Sequence, residues 1–281
     1  MKQLKEKTFA NGAVYALATA KGNLIETTDT FLPYETINAI GRRTNKLISC
    51  ENVGSRSERW MIGISTMSGC PVRCRFCATA NMKRVALLSA REMVDQVRFI
   101  LKKNPACRPS VAREFKVLFT RMGEPALNGD AVLEAIRMLK KEYPNINVSV
   151  STIGIRNDFL KKLLTLRDAY EDDFIQLQFS VHSTSEKDRD WLQPAKNKMD
   201  FKDINEFAKT WVRGGRRKIT LNFTITDKKE GADIHRNEFD VEKLSRSFDK
   251  ALFFIKLSPL NANVVSDAND LVGVIQEKNI I

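Results

Sequence analysis

From residue 59 onward the apolar and polar positions fall into a repeating order: a short strand-like run, then a stretch of helical period. The strand candidates are Arg59–Thr66, Arg113–Arg121, Asn145–Ser151, Ile175–Val181, Ile219–Thr226 and Leu252–Leu257. The clearest helix carries Ile204, Phe207, Ala208, Trp211 and Val212, a stripe at i, i+3, i+4, i+7 and i+8. Another opens with Ser89 and Glu92 at capping-box spacing and presents Met93, Val94, Val97, Ile100 and Leu101 for burial. Strands alternating with helices predict an α/β protein with a parallel sheet.

The strands themselves choose between an open sheet and a barrel. A parallel strand covered by helices on both faces is apolar throughout. Here Ile175, Leu177, Phe179 and Val181 interleave with Gln176, Gln178, Ser180 and His182, and Ile219, Leu221, Phe223 and Ile225 interleave with Thr220, Asn222 and Thr224. One face must pack on helices while the other lines something polar. The pattern predicts a partial (βα)6 barrel over residues 59–281, with its reactive end where the strands meet the βα loops. Residues 1–58 have shorter turns, at Asn11-Gly12, Lys21-Gly22 and Gly41, and β-prone stretches at Val14–Ala20 and Leu47–Glu51. They predict a small strand-rich N-terminal extension.

The composition narrows the class. With 43% hydrophobic and 28% charged residues among 281, the chain is too apolar for disorder and too polar for a membrane protein. No run approaches the ~18 apolar residues of a membrane span. The start, Met1–Lys7, has no signal-peptide core, so a cytoplasmic location is expected. The formal net charge of +12 favours a polyanionic partner such as nucleic acid. There are five cysteines, an odd number, and three crowd into Cys70-Pro71-Val72-Arg73-Cys74-Arg75-Phe76-Cys77. That argues for metal chemistry rather than a disulfide framework. Three thiolates can hold three irons of a [4Fe–4S] cluster and leave the fourth open to a chelating molecule. The competing reading is a zinc site that borrows Cys50, Cys107 or His182.

The CxxxCxxC triplet, with aromatic Phe76 before its last cysteine and a place after the first strand, resembles the radical S-adenosylmethionine superfamily. The resemblance implies a partial barrel in which Cys70, Cys74 and Cys77 ligate a [4Fe–4S] cluster and S-adenosylmethionine chelates the open iron. Reduction by a donor such as a flavodoxin or ferredoxin would then release a 5′-deoxyadenosyl radical that takes hydrogen from a substrate. Further segments are similar to one subfamily, the RNA adenine C2/C8 methyltransferases. Met122-Gly123-Glu124-Pro125-Ala126-Leu127-Asn128 resembles the end of its MGMGEPLLN, and Val150-Ser151-Thr152-Ile153-Gly154 resembles its VSTSG. Phe179-Ser180-Val181-His182 resembles part of ISLHAPND, and Ile255–Asn261 resembles INLIPWN. By this resemblance Gly123, Glu124, Ser151, Ser180, Val181, His182 and Asn261 bind the co-substrate.

The chain departs from that subfamily at its two working thiols. The cysteine expected seven residues before Cys70 is Gly63, and no cysteine follows Cys107, although the family's methyl carrier lies beyond the last helix. A longer chain would restore the second but not the first. The resemblance thus implies a radical S-adenosylmethionine enzyme acting on a nucleotide or RNA without the family's methyl-carrier machinery. The alternatives are a methyltransferase with a thiol from Cys50 or a partner, and a non-catalytic RNA-binding relative that keeps a structural cluster. Cys107 should sit at the end of the barrel away from the cluster, whereas Cys50 could reach the mouth. The basic clusters Lys102-Lys103, Lys140-Lys141 and Arg213 with Arg216–Lys218 complement predicted helix C-termini. The cluster loop's own Arg73, Arg75, Lys83 and Arg84 are candidates for meeting phosphates.

Overall fold

The computed structural model describes residues 1–34, 53–233 and 237–274. The chain begins with three antiparallel strands, β1 (Lys2–Phe9), β2 (Gly12–Ala18) and β3 (Leu24–Leu32). Next come β4 (Arg59–Ile64), a small ladder of β5 (Met67–Ser68) with β6 (Ala86–Leu87), and α1 (Ala90–Lys103). The alternation continues through β7 (Glu114–Phe119), α2 (Gly129–Glu142), β8 (Ile146–Thr152), α3 (Phe159–Asp168) and β9 (Ile175–Ser180). Two helices, α4 (Glu186–Leu192) and α5 (Phe201–Trp211), lead to β10 (Ile219–Thr224) and the short β11 (Thr226–Lys228). Last are α6 (Val241–Ser247), β12 (Phe253–Ser258), α7 (Val264–Ala268) and β13 (Leu271–Gly273).

Each of the six expected strands is present, with ends moved by one or two residues. Among the described residues they form one nine-stranded sheet in the order β1-β2-β3-β4-β7-β8-β9-β10-β12. From β4 to β12 neighbouring strands are parallel and the order never reverses. A doubly wound sheet would reverse at a switch point; monotone order is that of a barrel wound in one direction. The alternation has the expected consequence. Ile62, Val117, Val150, Leu177 and Leu221 point at the helices and are fully buried. On the opposite face Lys116, Ser149, Gln178 and Asn222 are polar and still buried, so this face is curled into a lumen. Their hydrogen bonds knit the lumen floor: Lys116 Nζ donates to Gln176 Oε1 (2.6 Å), and Gln176 Nε2 donates to Thr220 Oγ1 (3.0 Å). Burial pulls the Lys116 ammonium down to about 8.

The extension is part of the same sheet, because β3 pairs antiparallel with β4. Its other face packs on α1. Tyr15 meets Phe99 edge-on at 5.3 Å, and buried Thr27 donates from its hydroxyl to Gln96 Oε1 (2.7 Å). Buried Asp29 ties the two parts together by accepting from Trp60 Nε1 (2.8 Å), Arg56 Nη2 (2.6 Å) and Asn104 Nδ2 (3.0 Å). Helix α1 opens with the expected capping box of Ser89 and Glu92, and Met93, Val94, Val97 and Ile100 are buried, with Leu101 half-buried. In α5, Ile204, Ala208 and Trp211 are buried, Phe207 is half-buried and Val212 is the C-cap. β1 had no counterpart in the sequence pattern, while the stretch Leu47–Glu51 lies outside the described residues.

Candidate cluster and co-substrate site

The three clustered cysteines sit in the loop that leaves the C-terminal end of β4, and the loop is held at both ends. At its base β5 and β6 pair Met67 with Leu87 and Ser68 with Ala86. Asn128 Nδ2 donates to the carbonyls of Thr66 and Leu88, both at 2.8 Å, one on each leg of the loop. Buried Gln96 clamps the end of β4, accepting from Ser65 N (2.8 Å) and donating to Ser65 O (2.9 Å). Farther out, Arg75 Nε donates to Trp191 O (3.0 Å), Nη1 donates to Asn269 Oδ1 (3.3 Å), and the guanidinium lies 4.9 Å from the Trp191 ring. Arg75 is therefore a strut between the cluster loop, α4 and the turn after α7. It is not available to phosphate, contrary to the expectation for this loop. Arg73, Lys83 and Arg84 are exposed.

The thiols are partly buried against the core. Burial pushes Cys70 up to about 11, against backbone hydrogen bonds from Val72 and Arg73 that pull it down. Burial also raises the Cys74 thiol well above its usual value, with the neighbouring cysteines adding to it. Thiolates in such surroundings need a compensating cation, which cluster iron supplies. Among the described residues no three Cys, His, Asp or Glu side chains converge as a single-ion site would need. A [4Fe–4S] cluster places each thiolate on a different iron and does not require that convergence. Two of the three fourth ligands proposed for a zinc site are placed by the structure, and neither fits. His182 Nδ1 already accepts from Thr224 N (2.9 Å). Cys107 follows α1 and precedes β7, so it lies at the far end of strands about 20 Å long. Cys50 lies outside the described residues.

The expected co-substrate residues follow successive strand ends. After β7, Gly123 has φ of +99°, and a side chain there would press within 2.6 Å of the Met67 Cβ. Only glycine lets this turn lie against the root of the cluster loop. Glu124 is buried, and its carboxylate is occupied by the protein. Oε1 accepts from Ala126 N (3.0 Å) and from the Thr152 hydroxyl, and Oε2 accepts from Ile153 N (2.9 Å). Burial raises the Glu124 carboxyl while these donors hold it down. Its side chain locks the β7 turn to the end of β8.

At the ends of β8 and β9 the Ser151 and Ser180 hydroxyls lie 3.1 Å apart, and Ser151 Oγ accepts from Gln178 Nε2 (3.1 Å). Val181 and His182 both donate their backbone N–H to Asn222 O, at 2.9 and 3.2 Å. His182 has φ of +65°, its ring stands edge-on to Phe76 at 4.7 Å, and burial lowers it to about 3. It is a neutral imidazole with its proton on Nε2, because Nδ1 accepts from Thr224. Phe76, the aromatic of the cysteine motif, therefore joins the cluster loop to the end of β9. Asn261 is exposed in the turn after β12, where its carbonyl accepts from Asn263 Nδ2 (2.8 Å). Asn263 Nδ2 also donates to Phe76 O (3.0 Å), tying this turn to the cluster loop. Asn128 and Asn263 are working residues that sequence reasoning gave no role. Their signal was proximity to the recognised motifs; neither has a charge or period to mark it.

On the β4 side, Gly63 faces the lumen. A Cβ there would collide with the Thr28 hydroxyl and come within 3.0 Å of Arg121 Cδ. Arg121 stands where the subfamily pattern has the first glycine of MGMGEPLLN. Its side chain folds back over Gly63 to form an ion pair with Glu26 on β3, and its Nε is buried with no partner among the described residues. The loss of a side chain at 63 and the gain of one at 121 are thus complementary.

A curved one-way barrel with a cysteine triplet at the mouth defines a class, and comparison with known proteins places the chain in it. The family model for the radical SAM superfamily matches residues 64–234, and the chain belongs to that superfamily. Its cofactors are accordingly a [4Fe–4S] cluster and S-adenosylmethionine, and Cys70, Cys74 and Cys77 fit the superfamily's cysteine motif. The chain is 32% identical over 203 residues to a probable dual-specificity RNA methyltransferase RlmN of Pseudothermotoga lettingae, covering 71% of this chain and 54% of that one. It is 31% identical over 233 residues to a probable RNA methyltransferase of Rhodopseudomonas palustris, covering 75% and 60%. It therefore spans little more than half the length of these relatives. Among solved structures, a radical SAM methyltransferase from Sphaerobacter thermophilus superposes with a TM-score of 0.69 at 23% identity, covering 93% of this chain and 67% of that one. That likeness supports the fold. No helix among the described residues is long and apolar enough to cross a membrane.

Proposed function

We propose that this chain is a radical S-adenosylmethionine enzyme that acts on RNA or a nucleotide. The observation that carries the reading is the loop bearing Cys70, Cys74 and Cys77, clamped at its base by Asn128 and braced by Asn263 and Arg75. When bound, the cluster supplies the electron that cleaves S-adenosylmethionine to methionine and a 5′-deoxyadenosyl fragment able to remove hydrogen from a substrate.

The protein's part is binding and shielding. Cys70, Cys74 and Cys77 would hold the cluster. Gly123 and Glu124 would offer carbonyls to the methionine ammonium, and Ser151, Ser180, Val181 and His182 would line the far side of the co-substrate, with Asn261 at the adenine. The neutral His182 adds no charge beside the sulfonium. The names of the similar proteins support an RNA substrate. A soluble donor such as a flavodoxin or ferredoxin, in the cytoplasm, would supply the electron.

Gly63, its space filled by Arg121 and Thr28, speaks against the thiol-based methyl transfer of the adenine methyltransferase subfamily. Anaerobic reconstitution with iron and sulfide, followed by dithionite and S-adenosylmethionine, should yield 5′-deoxyadenosine. One bound zinc and no iron would refute the reading.

A further inference from the structure

The sheet that forms the barrel continues past its mouth onto the extension, and the lumen-side face of that continuation sorts its charges. The register fixes which residues share this face: Gly63 pairs with Thr28, Thr28 with Val14, and Val14 with Lys7. One row along, Glu26 pairs with Ala16, and Ala16 with Lys5. A bulge between Gln3 and Lys5 then brings Lys2, opposite Ala18, onto the same face as Lys5, although the two are three residues apart. The acid of β1 goes the other way. Glu6 pairs with Tyr15 on the helix side and bridges to Lys103 of α1 at 3.4 Å.

The result is a face with Lys2, Lys5 and Lys7 exposed along its rim and the small side chains Val14 and Ala16 as its floor. The Arg121 guanidinium, paired with Glu26 on β3, lies two strand spacings from β1, roughly 10 Å, at the entrance to the lumen. The half-buried Phe9 ring lies 4.9 Å from Lys7 Nζ. Glu26 is the acid facing Arg121, and it leaves the buried Arg121 Nε without an acceptor. Such a group is costly to bury unless a ligand supplies one. This face lies on the β3–β4 side, across the mouth from the residues expected to bind the co-substrate.

We propose that the lumen-side face of β1–β3, with Lys2, Lys5, Lys7 and Arg121, is a track for the phosphate backbone of single-stranded RNA and leads the reacting nucleotide into the barrel. This rests on the RNA reading given above. Cationic grooves with an aromatic at the edge follow single strands in this way, and a guanidinium pairs with phosphate through two parallel hydrogen bonds. Lysines on an edge strand also discourage strand pairing between molecules. That role needs charge but no particular face, so it does not account for the segregation of Glu6.

The test is fluorescence anisotropy of a labelled single-stranded oligoadenylate on the reconstituted holoenzyme, over a range of salt. The triple variant Lys2→Gln, Lys5→Gln, Lys7→Gln should weaken binding by about 10-fold or more and flatten the log–log salt slope by about 2. Its 5′-deoxyadenosine formation without RNA should be unchanged. A control triple on exposed helix positions, Lys141→Gln, Lys161→Gln and Lys202→Gln, removes equal charge and should leave the slope alone. Arg121→Gln should weaken binding, and Arg121→Lys should restore part of it.

Equal losses in both triples, or no loss in the first, would overturn the track while leaving the RNA reading intact. Duplex RNA bound as tightly, with the same sensitivity to Lys2, Lys5 and Lys7, would overturn its single-stranded character. A wild-type protein that binds no RNA at low salt would refute the RNA reading and the track with it.

Discussion

On the β7–β10 side of the barrel mouth, the side chains expected at the co-substrate are held by hydrogen bonds within the protein. Glu124 takes three donors, Ser151 and Ser180 share a hydrogen bond, and His182 is fixed at Nδ1. On the β3–β4 side, Gly63 has no side chain, Arg121 fills the space, and Arg121 Nε is buried without an acceptor. The first side keeps the polar and glycine positions of the subfamily's motifs, Gly123, Glu124, Ser151, Ser180 and His182; the second departs from them at Gly63 and Arg121, which lie against each other. A network closed on itself holds a shape for a constant ligand, the co-substrate. A rebuilt wall, with Arg121 paired to Glu26 through Nη2 but without an acceptor at Nε, suits a ligand that differs from that of the relatives.

The contrast can be attacked first where the effect is largest. Cys74→Ala should abolish cluster binding, read as loss of iron, of the visible charge-transfer absorption and of 5′-deoxyadenosine. Retention of a full cluster would break the assignment. Asn128→Ala removes the one side chain that donates to the carbonyls on both legs of the loop, Thr66 and Leu88, and should cost about 1–3 kcal/mol in chemical unfolding, with iron occupancy falling alongside.

Gly63→Cys puts a side chain onto Thr28 and Arg121 and should cost about 1–3 kcal/mol by overpacking. Adding Arg121→Gly should recover the part of that cost due to Arg121, with the Thr28 contact remaining, giving a coupling of about 0.5–3 kcal/mol in a double-mutant cycle. Additive losses would mean that the two positions are not complementary.

The effect that is smallest near neutral pH is in the pH profile. His182 falls from 6.5 unfolded to about 3 folded, so the unfolded chain binds the extra proton between those values. Stability should therefore fall as pH drops below about 6.5, by at most about 1.4 kcal/mol per unit. His182→Gln should flatten that part of the curve.

Much of this was legible in the sequence, and the exceptions share a cause. Half-buried strands advertise themselves by alternation, which is why Ile175–Ser180 and Ile219–Thr224 were found with their inward faces assigned. Among the described residues β1 is an edge strand, and its residues Lys2 to Thr8 are all exposed, so no apolar period marks it. The cysteine triplet carries its chemistry in spacing alone. Arg75 looked like a phosphate contact because charge in a sequence carries no direction, and only the fold brings Trp191 and Asn269 to it. The exchange of side chains between positions 63 and 121 is likewise invisible along the chain, since it joins neighbouring strands 58 residues apart in number.

The most direct measurement follows the methyl group. The reconstituted enzyme is reduced in the presence of single-stranded RNA and S-adenosylmethionine labelled in its methyl carbon. The expected result is 5′-deoxyadenosine and methionine in equal amounts, with the label remaining in methionine. Label recovered in RNA or on a cysteine of this chain would contradict it, and would show that the thiol chemistry survives without a cysteine at position 63.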